Sequence, residues 1–181
     1  MNRIELISAL GNLDGAYPAE LADRDRFLTL LEHPRAYHRD HLPGHITGSA
    51  WIVNQDFSKV LLVLHAKLGR WLQPGGHADG DEMVDSVALR EAREETGVIE
   101  LSFVTPTVFD IDIHPIPQRK DFPSHDHYDI RFLLQASDQQ KLEISDESND
   151  LRWFSLDEVP RLVGHSTSII RMVEKTRDRF H

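Results

Sequence analysis

The chain predicts an α/β fold: an α/β/α sandwich around a mixed β-sheet, preceded by a helical N-terminal extension. Three observations lead there. Residues 1–44 carry apolar side chains at helical spacing. From His45 onward, short apolar runs alternate with turn residues, the mark of strands. Helical segments then fall among strands that are not contiguous, so a sheet needs helices on both faces. At 181 residues one sheet-based domain with one sizeable core is the default, here residues 45–181 behind an extension over 1–44 that packs on it.

The elements follow in order. Ile4, Leu6, Ile7 and Leu10 predict a short amphipathic helix ending near Gly11 or Gly15. A second helix runs from Pro18 to Glu32, with Leu21, Phe27, Leu28 and Leu31 apolar, and Pro34 stops it. Residues 35–44, rich in His and Arg, read as loop. Strands are expected over 45–53 and 59–65, joined by a turn at 54–58, with a short segment at 71–73. Pro74-Gly75-Gly76 breaks into a loop that opens a helix over about 83–96, closed by Gly97. Further strands are expected over 100–105, 107–113, 128–135 and 151–154. A polar loop spans Pro115 to His127 and an acidic one Ser137 to Asp150. Ser155 with Glu158 reads as a capping box opening a short helix. A last helix from Ser166 or Ser168 to Arg179 turns Ile169, Ile170, Met172 and Val173 to the core. The sequence shows no internal repeat and no low-complexity segment.

Composition narrows the function. The formal charge is −10, which argues against a nucleic acid polymer as partner, because phosphate backbones call for a basic footprint. A small anionic substrate stays possible through metal ions and a few local cations, for which Lys67, Arg70, Arg119, Lys120 and Arg131 are candidates. No apolar run approaches the length of a membrane span, and the first residues lack the pattern of a signal peptide. The absence of cysteine excludes disulfides, thiolate catalysis and Cys-ligated zinc. A cytoplasmic location is the simplest expectation.

The chemistry concentrates between Gly76 and Val98. On a helix, Glu91, Glu94 and Glu95 stand at i, i+3 and i+4, on one face, and Val84, Val87 and Ala88 lie on that side one or two turns earlier. Taken alone, the carboxylates fit two readings. One is a solvated acidic face with i,i+4 pairs. The other is a partly buried cluster whose repulsion a divalent cation resolves, and oxygen donors select Mg²⁺ or Mn²⁺. Arg90 is placed to neutralise part of the cluster and to pair with Glu82 or Glu91.

The full spacing goes further. Gly76, five residues, Glu82, seven residues, then Arg90-Glu91-Ala92-Arg93-Glu94-Glu95-Thr96-Gly97-Val98 matches every fixed position of the box G-x5-E-x7-R-E-U-x-E-E-x-G-U, where U is aliphatic. The chain thus resembles the Nudix hydrolases. The run Trp71-Leu72-Gln73-Pro74-Gly75-Gly76 is similar to the family's approach to the box, with Gln73 where Leu is commoner, and the element order fits the family over about 45–179.

That resemblance implies a Nudix-like α/β/α sandwich and metal-dependent hydrolysis of a nucleoside diphosphate linked to another group. It implies Glu91, Glu94 and Glu95 as metal ligands for Mg²⁺ (or Mn²⁺), with Glu91 either ligand or base and the carbonyl of Gly76 (or Gly75) as a further ligand. Arg90 and Glu82 are expected to orient the cluster, and Gly97 to be structural. The general base often lies outside the box in this family; Asp146 and Glu147 are the candidates here, Glu147 the stronger. The expected substrate is a small nucleotide, a nucleoside diphosphate sugar or ADP-ribose-like compound. Alternatives are (oxidised) nucleoside triphosphates or dinucleoside polyphosphates, and, in another class, a non-enzymatic nucleotide-binding sensor. A homodimer is expected.

A second constellation lies outside the box. If residues 125–129 are extended, His125, His127 and Asp129 share one sheet face. With His114 they suit either a second metal site for zinc or a similar ion, or contacts to substrate. His77, beside the glycine turn, is placed to touch phosphate. Trp51, Phe109, Phe122 and Tyr128 are candidates to stack on a base, with core packing the plainer reading of each.

Overall fold

The computed structural model describes residues 1–13, 16–119 and 122–180. Gly15 and the candidate cation Lys120 lie outside the described residues. The elements are α1 (Arg3–Gly11), α2 (Pro18–Leu31), β1 (Gly44–Val53), β2 (Lys59–His65), β3 (Arg70–Leu72), β4 (Gly75–His77), α3 (Val84–Thr96), β5 (Ser102–Phe103), β6 (Asp110–Ile116), β7 (His125–Gln135), β8 (Ser148–Ser155), α4 (Val159–Leu162) and α5 (Thr167–Phe180).

The strands form one mixed sheet with a central path β3-β2-β1-β7-β5. Strand β4 pairs with β1, β6 with β7, and β8 with β2. The pair β1–β7 is parallel, Gly44 opposite Asp126 through Val53 opposite Gln135, and the other pairs are antiparallel. Strand β1 is buried along its whole length, and its alternation assigns the two faces. Ile46, Ala50 and Ile52 share an apolar cluster with Val84, Val87, Ala88 and Ala92 of α3 and with Leu6, Leu10, Phe27, Leu30 and Leu31 of α1 and α2. Trp51 and Val53 point the other way, into a cluster with Ile169, Met172 and Val173 of α5. The Trp51 indole N–H donates to Thr176 Oγ1 at 3.0 Å, fixing α5 to the sheet. Gly48 is where α3 crosses β1 closely: a Cβ there would meet the Val84 carbonyl oxygen at 2.8 Å. Gly97 closes α3 at φ +70°, a left-handed conformation that glycine adopts without a Cβ penalty.

The structure departs from the sequence expectations in places with identifiable causes. In α1 only Leu6 and Leu10 are buried; Ile4 and Ile7 are exposed, so the apolar face is narrower than the spacing suggested. The strand expected over 100–105 shrinks to Ser102–Phe103, and that expected over 107–113 moves to Asp110–Ile116. The polar loop is correspondingly shorter, because β6 and β7 form a hairpin that pairs Ile116 with His125. Pro115 is tolerated because β6 pairs only with β7 among the described strands, so a missing N–H on its outer side costs no ladder bond. Strand β8 begins at Ser148 rather than Leu151, since it runs the length of β2. Both the N–H and the hydroxyl of Ser155 donate to the Glu158 carboxylate, but the helix itself starts only at Val159. Ile170 on α5 is only partly buried. Among the described residues no helix is long and apolar enough to cross a membrane.

Candidate metal and nucleotide site

The box carboxylates stand where α3 passes β4. Gly76 backs onto Glu91 so closely that a Cβ would lie 2.5 Å from the Glu91 carboxyl carbon. The Gly75 N–H donates to Glu95 Oε1 at 3.3 Å. The carboxylates differ in burial. The Glu91 side chain is 15% exposed and Glu94 58%, while Glu95 is half-buried. Burial therefore raises the pKa of Glu95 to about 7, against the Gly75 hydrogen bond and with help from the charges of Glu91, Glu147 and Glu94. Burial also raises that of Glu91, opposed by Arg90 and reinforced by Glu94 and Glu147. The solvated-face reading holds for Glu94 alone.

Arg90 lies 2.7 Å from Glu91 and 3.1 Å from Glu94, and donates to the His77 carbonyl at 3.4 Å. Of the two partners expected for Arg90, Glu91 is the one it meets, not Glu82. Glu82 is bound instead by Arg3 at 2.6 Å, and the same guanidinium donates to the carbonyls of Leu31, His33 and Pro34. Glu147 sits in the exposed turn before β8, its carbonyl accepting from the Ala66 N–H at 2.9 Å. Its charge reaches Glu91 and Glu95. The oxygen-only donor set, two carboxylates that burial drives toward protonation and a glycine whose missing Cβ leaves their space open together fit a hard divalent cation such as Mg²⁺.

Arg131 is the clearest correction. It is 2% exposed, not a surface cation, and is ringed by Asp129 at 2.8 Å, Asp110 at 3.0 Å and Asp112 at 3.1 Å. Arg171 and Lys175 reach Asp110 from α5 at 2.7 and 3.1 Å, and Glu20 of α2 accepts from Lys175 at 2.5 Å. Buried and turned toward three carboxylates, Arg131 is not placed to meet a phosphate arriving from solvent. Asp129 belongs to this network as well, accepting from Thr47, Ser49 and Gln73, so it does not join the histidines. Burial opposes ionisation of Asp112, but the His114 hydrogen bond and the nearby arginines prevail and hold it at about 2.

The histidines gather differently from the grouping expected. Among the described residues, ring nitrogens of His45, His77 and His127 lie within 4.8 Å of one another. His125 stacks on His45 with centroids 4.9 Å apart, and His114 meets His127 edge-on at 5.5 Å. His45 was absent from the sequence-based candidates. Its clue was alternation along β1, which puts His45, Thr47 and Ser49 on one face; the missing information was the parallel pairing that sets His45 opposite His127. Burial lowers the pKa of His127 to about 2 and of His45 to about 4, in each case with His77 as the next cause, and burial lowers His77 also. The set is therefore neutral at pH 7. Trp51, Phe109 and Tyr128 are buried in the core, while Phe122 is partly exposed and lies edge-on to His125 at 4.9 Å.

Comparison with known proteins agrees with the box. The NUDIX domain model matches residues 45–173. The asymmetrical bis(5'-nucleosyl)-tetraphosphatase of Rattus norvegicus is 31% identical over 104 residues, 56% of this chain and 67% of that protein. A probable DHNTP pyrophosphohydrolase of Lactococcus lactis subsp. cremoris is 29% identical over 97 residues, 52% of this chain; the match spans just over half of that relative, 56%. The structure of a C. elegans Ap4A hydrolase binary complex superposes with a TM-score of 0.60 at 16% identity, covering 74% of this chain and 96% of that one, a likeness of fold. With the family's domain spanning most of its length and its box intact at the junction of β4 and α3, the chain belongs to the Nudix family.

Proposed function

We propose that the protein is a divalent-metal-dependent pyrophosphohydrolase acting on a phosphoric anhydride bond of a small nucleotide. The observation that carries this reading is the pair Glu91 and Glu95, half-buried against the Gly75–Gly76 turn with their carboxylates competing for charge. A solvated helix face has no reason to bury them. Glu91 and Glu95, with the Gly76 carbonyl, would hold Mg²⁺ (or Mn²⁺), and Glu94 would serve from the solvent side. When bound, that ion neutralises phosphate charge and makes water a better nucleophile. Arg90 keeps the Glu91 carboxylate directed at Gly76 and shields part of the acidic charge from an incoming polyanion. A carboxylate oxygen of Glu147 accepts the proton of the attacking water. Support for this role comes from its charge, which acts on Glu91 and Glu95 from the turn before β8.

The named activity of the rat relative is on a bis-nucleosyl tetraphosphate. This favours a polyphosphate chain over the nucleoside diphosphate sugar first expected. His114 and His125, which border the histidine group, are the residues proposed to contact the substrate. A homodimer in the cytoplasm completes the proposal, and light scattering reads its mass. The deciding experiment is a panel with Mg²⁺ or Mn²⁺ containing dinucleoside polyphosphates, nucleoside triphosphates (normal and oxidised), ADP-ribose and nucleoside diphosphate sugars, with products read by mass and Glu95→Gln run alongside. Metal-dependent release of a nucleotide that the variant does not produce supports the enzyme. Tight binding of a nucleotide without turnover supports the sensor instead.

A further inference from the structure

We propose that His45, His77 and His127 form a second cation site, built for a zinc-class divalent ion and separate from the carboxylate site. Their ring nitrogens already lie within 4.8 Å of one another. Zinc–nitrogen bonds of about 2.0–2.1 Å put tetrahedral ligands roughly 3.3 Å apart, a gap that side-chain rotation closes.

Three strands supply the ligands. In the sheet His45 of β1 pairs with His127 of β7, and His77 of β4 pairs with Thr47, two residues along β1. The rings therefore converge on one face of a rigid sheet, not on loops. His45 is 1% exposed, and the Nε2 atoms of both His45 and His127 are buried with no hydrogen-bond partner among the described residues. Such an atom destabilises the fold when left unmatched, and two of them turned into one cluster of imidazoles need an acceptor of lone pairs. The His45 Nδ1 faces the His41 carbonyl at 3.4 Å, which leaves Nε2 as the ligating atom, as an outer carbonyl does for metal-bound histidine. Arg39, whose charge acts on His45 and His77, is engaged by Asp79.

Nitrogen donors separate this site from the first. Three neutral imidazoles select zinc, cobalt or nickel over magnesium, while the oxygen set of α3 selects magnesium. Strand β4 divides the two: Gly76 faces Glu91 on one side, and the next residue, His77, faces His45 and His127 on the other.

The test titrates the full chain with Co²⁺ in excess Mg²⁺, followed by visible absorption and calorimetry. One equivalent with the intense d–d bands of a low-coordinate nitrogen-ligated ion is expected, displaced by Zn²⁺ and unaffected by Glu95→Gln. His77→Gln and His127→Gln should each weaken it on the order of 100-fold or more. The spectrum of the unaltered chain stands even if a variant folds poorly, and circular dichroism of each variant separates the two cases. No stoichiometric Co²⁺ band, an octahedral oxygen-type spectrum, or a site abolished by Glu95→Gln overturns the proposal. Loss of turnover in Glu95→Gln with the Co²⁺ band intact shows that the two sites are independent.

Discussion

At the scale of single residues, Glu95 concentrates the chemistry and the cost. Its folded pKa is about 7 against an ordinary 4.5, so its contribution to stability is full below 4.5 and lost as the pH rises through 7. Without metal, Glu95→Gln should then exceed the parent in stability above pH 7 by up to about 3 kcal/mol, the difference vanishing toward pH 4.5. Urea unfolding in chelator across that range reads it, and a constant difference would contradict the buried carboxylate. In the same variant kcat should fall on the order of 100-fold or more. Gly76→Ala makes the complementary case. Its Cβ meets the far end of a flexible side chain, so Glu91 can move aside and stability should drop by less than about 1 kcal/mol. Because the displaced carboxylate is a proposed ligand, Mg²⁺ affinity in calorimetry should fall much further than stability does.

Among the elements, the hairpin β6–β7 carries the largest electrostatic commitment. Arg131 compensates Asp110, Asp112 and Asp129 in the interior, and Arg131→Met leaves them with less than they need. A loss of about 3–5 kcal/mol is expected from breaking such a buried network, measured as a lower urea midpoint; a change below about 1 kcal/mol would show the carboxylates to be hydrated. This network marks where the sequence stopped being legible. The run Val60–Leu64 and the capped periodicity of α3 declare their own structure, so β2 was read to the residue and α3 within one. The carboxylate cluster was local to α3 and equally visible. Arg131, by contrast, is one polar residue in an alternating strand, and whether it meets water or carboxylates is decided largely by partners on β6. His45 failed to register for the same reason: its neighbours come from strands β4 and β7.

On the scale of the whole molecule, residues 1–44 are joined to the sheet through one core. Leu6 and Leu10 share the apolar cluster of β1 and α3, and the N-terminal ammonium lies 2.5 Å from Asp85 at the start of α3. Leu6→Ala should cost about 2–5 kcal/mol, seen as a single, earlier thermal transition. A separate low-temperature transition that leaves the sheet intact would instead show an independent appendage. The parallel pairing of β1 with β7 also sets an order of events in time. Thr47 and Asp129, bonded across that pair, are 82 residues apart in sequence. A growing chain leaving the ribosome has β1, β2 and all of α3 before it has the strand that seats β1. Closing so long a loop is slow compared with local helix formation. The chain of the carboxylate helix is therefore complete before His127 exists to meet His45, and the sheet's central seam closes only once β7 has been made.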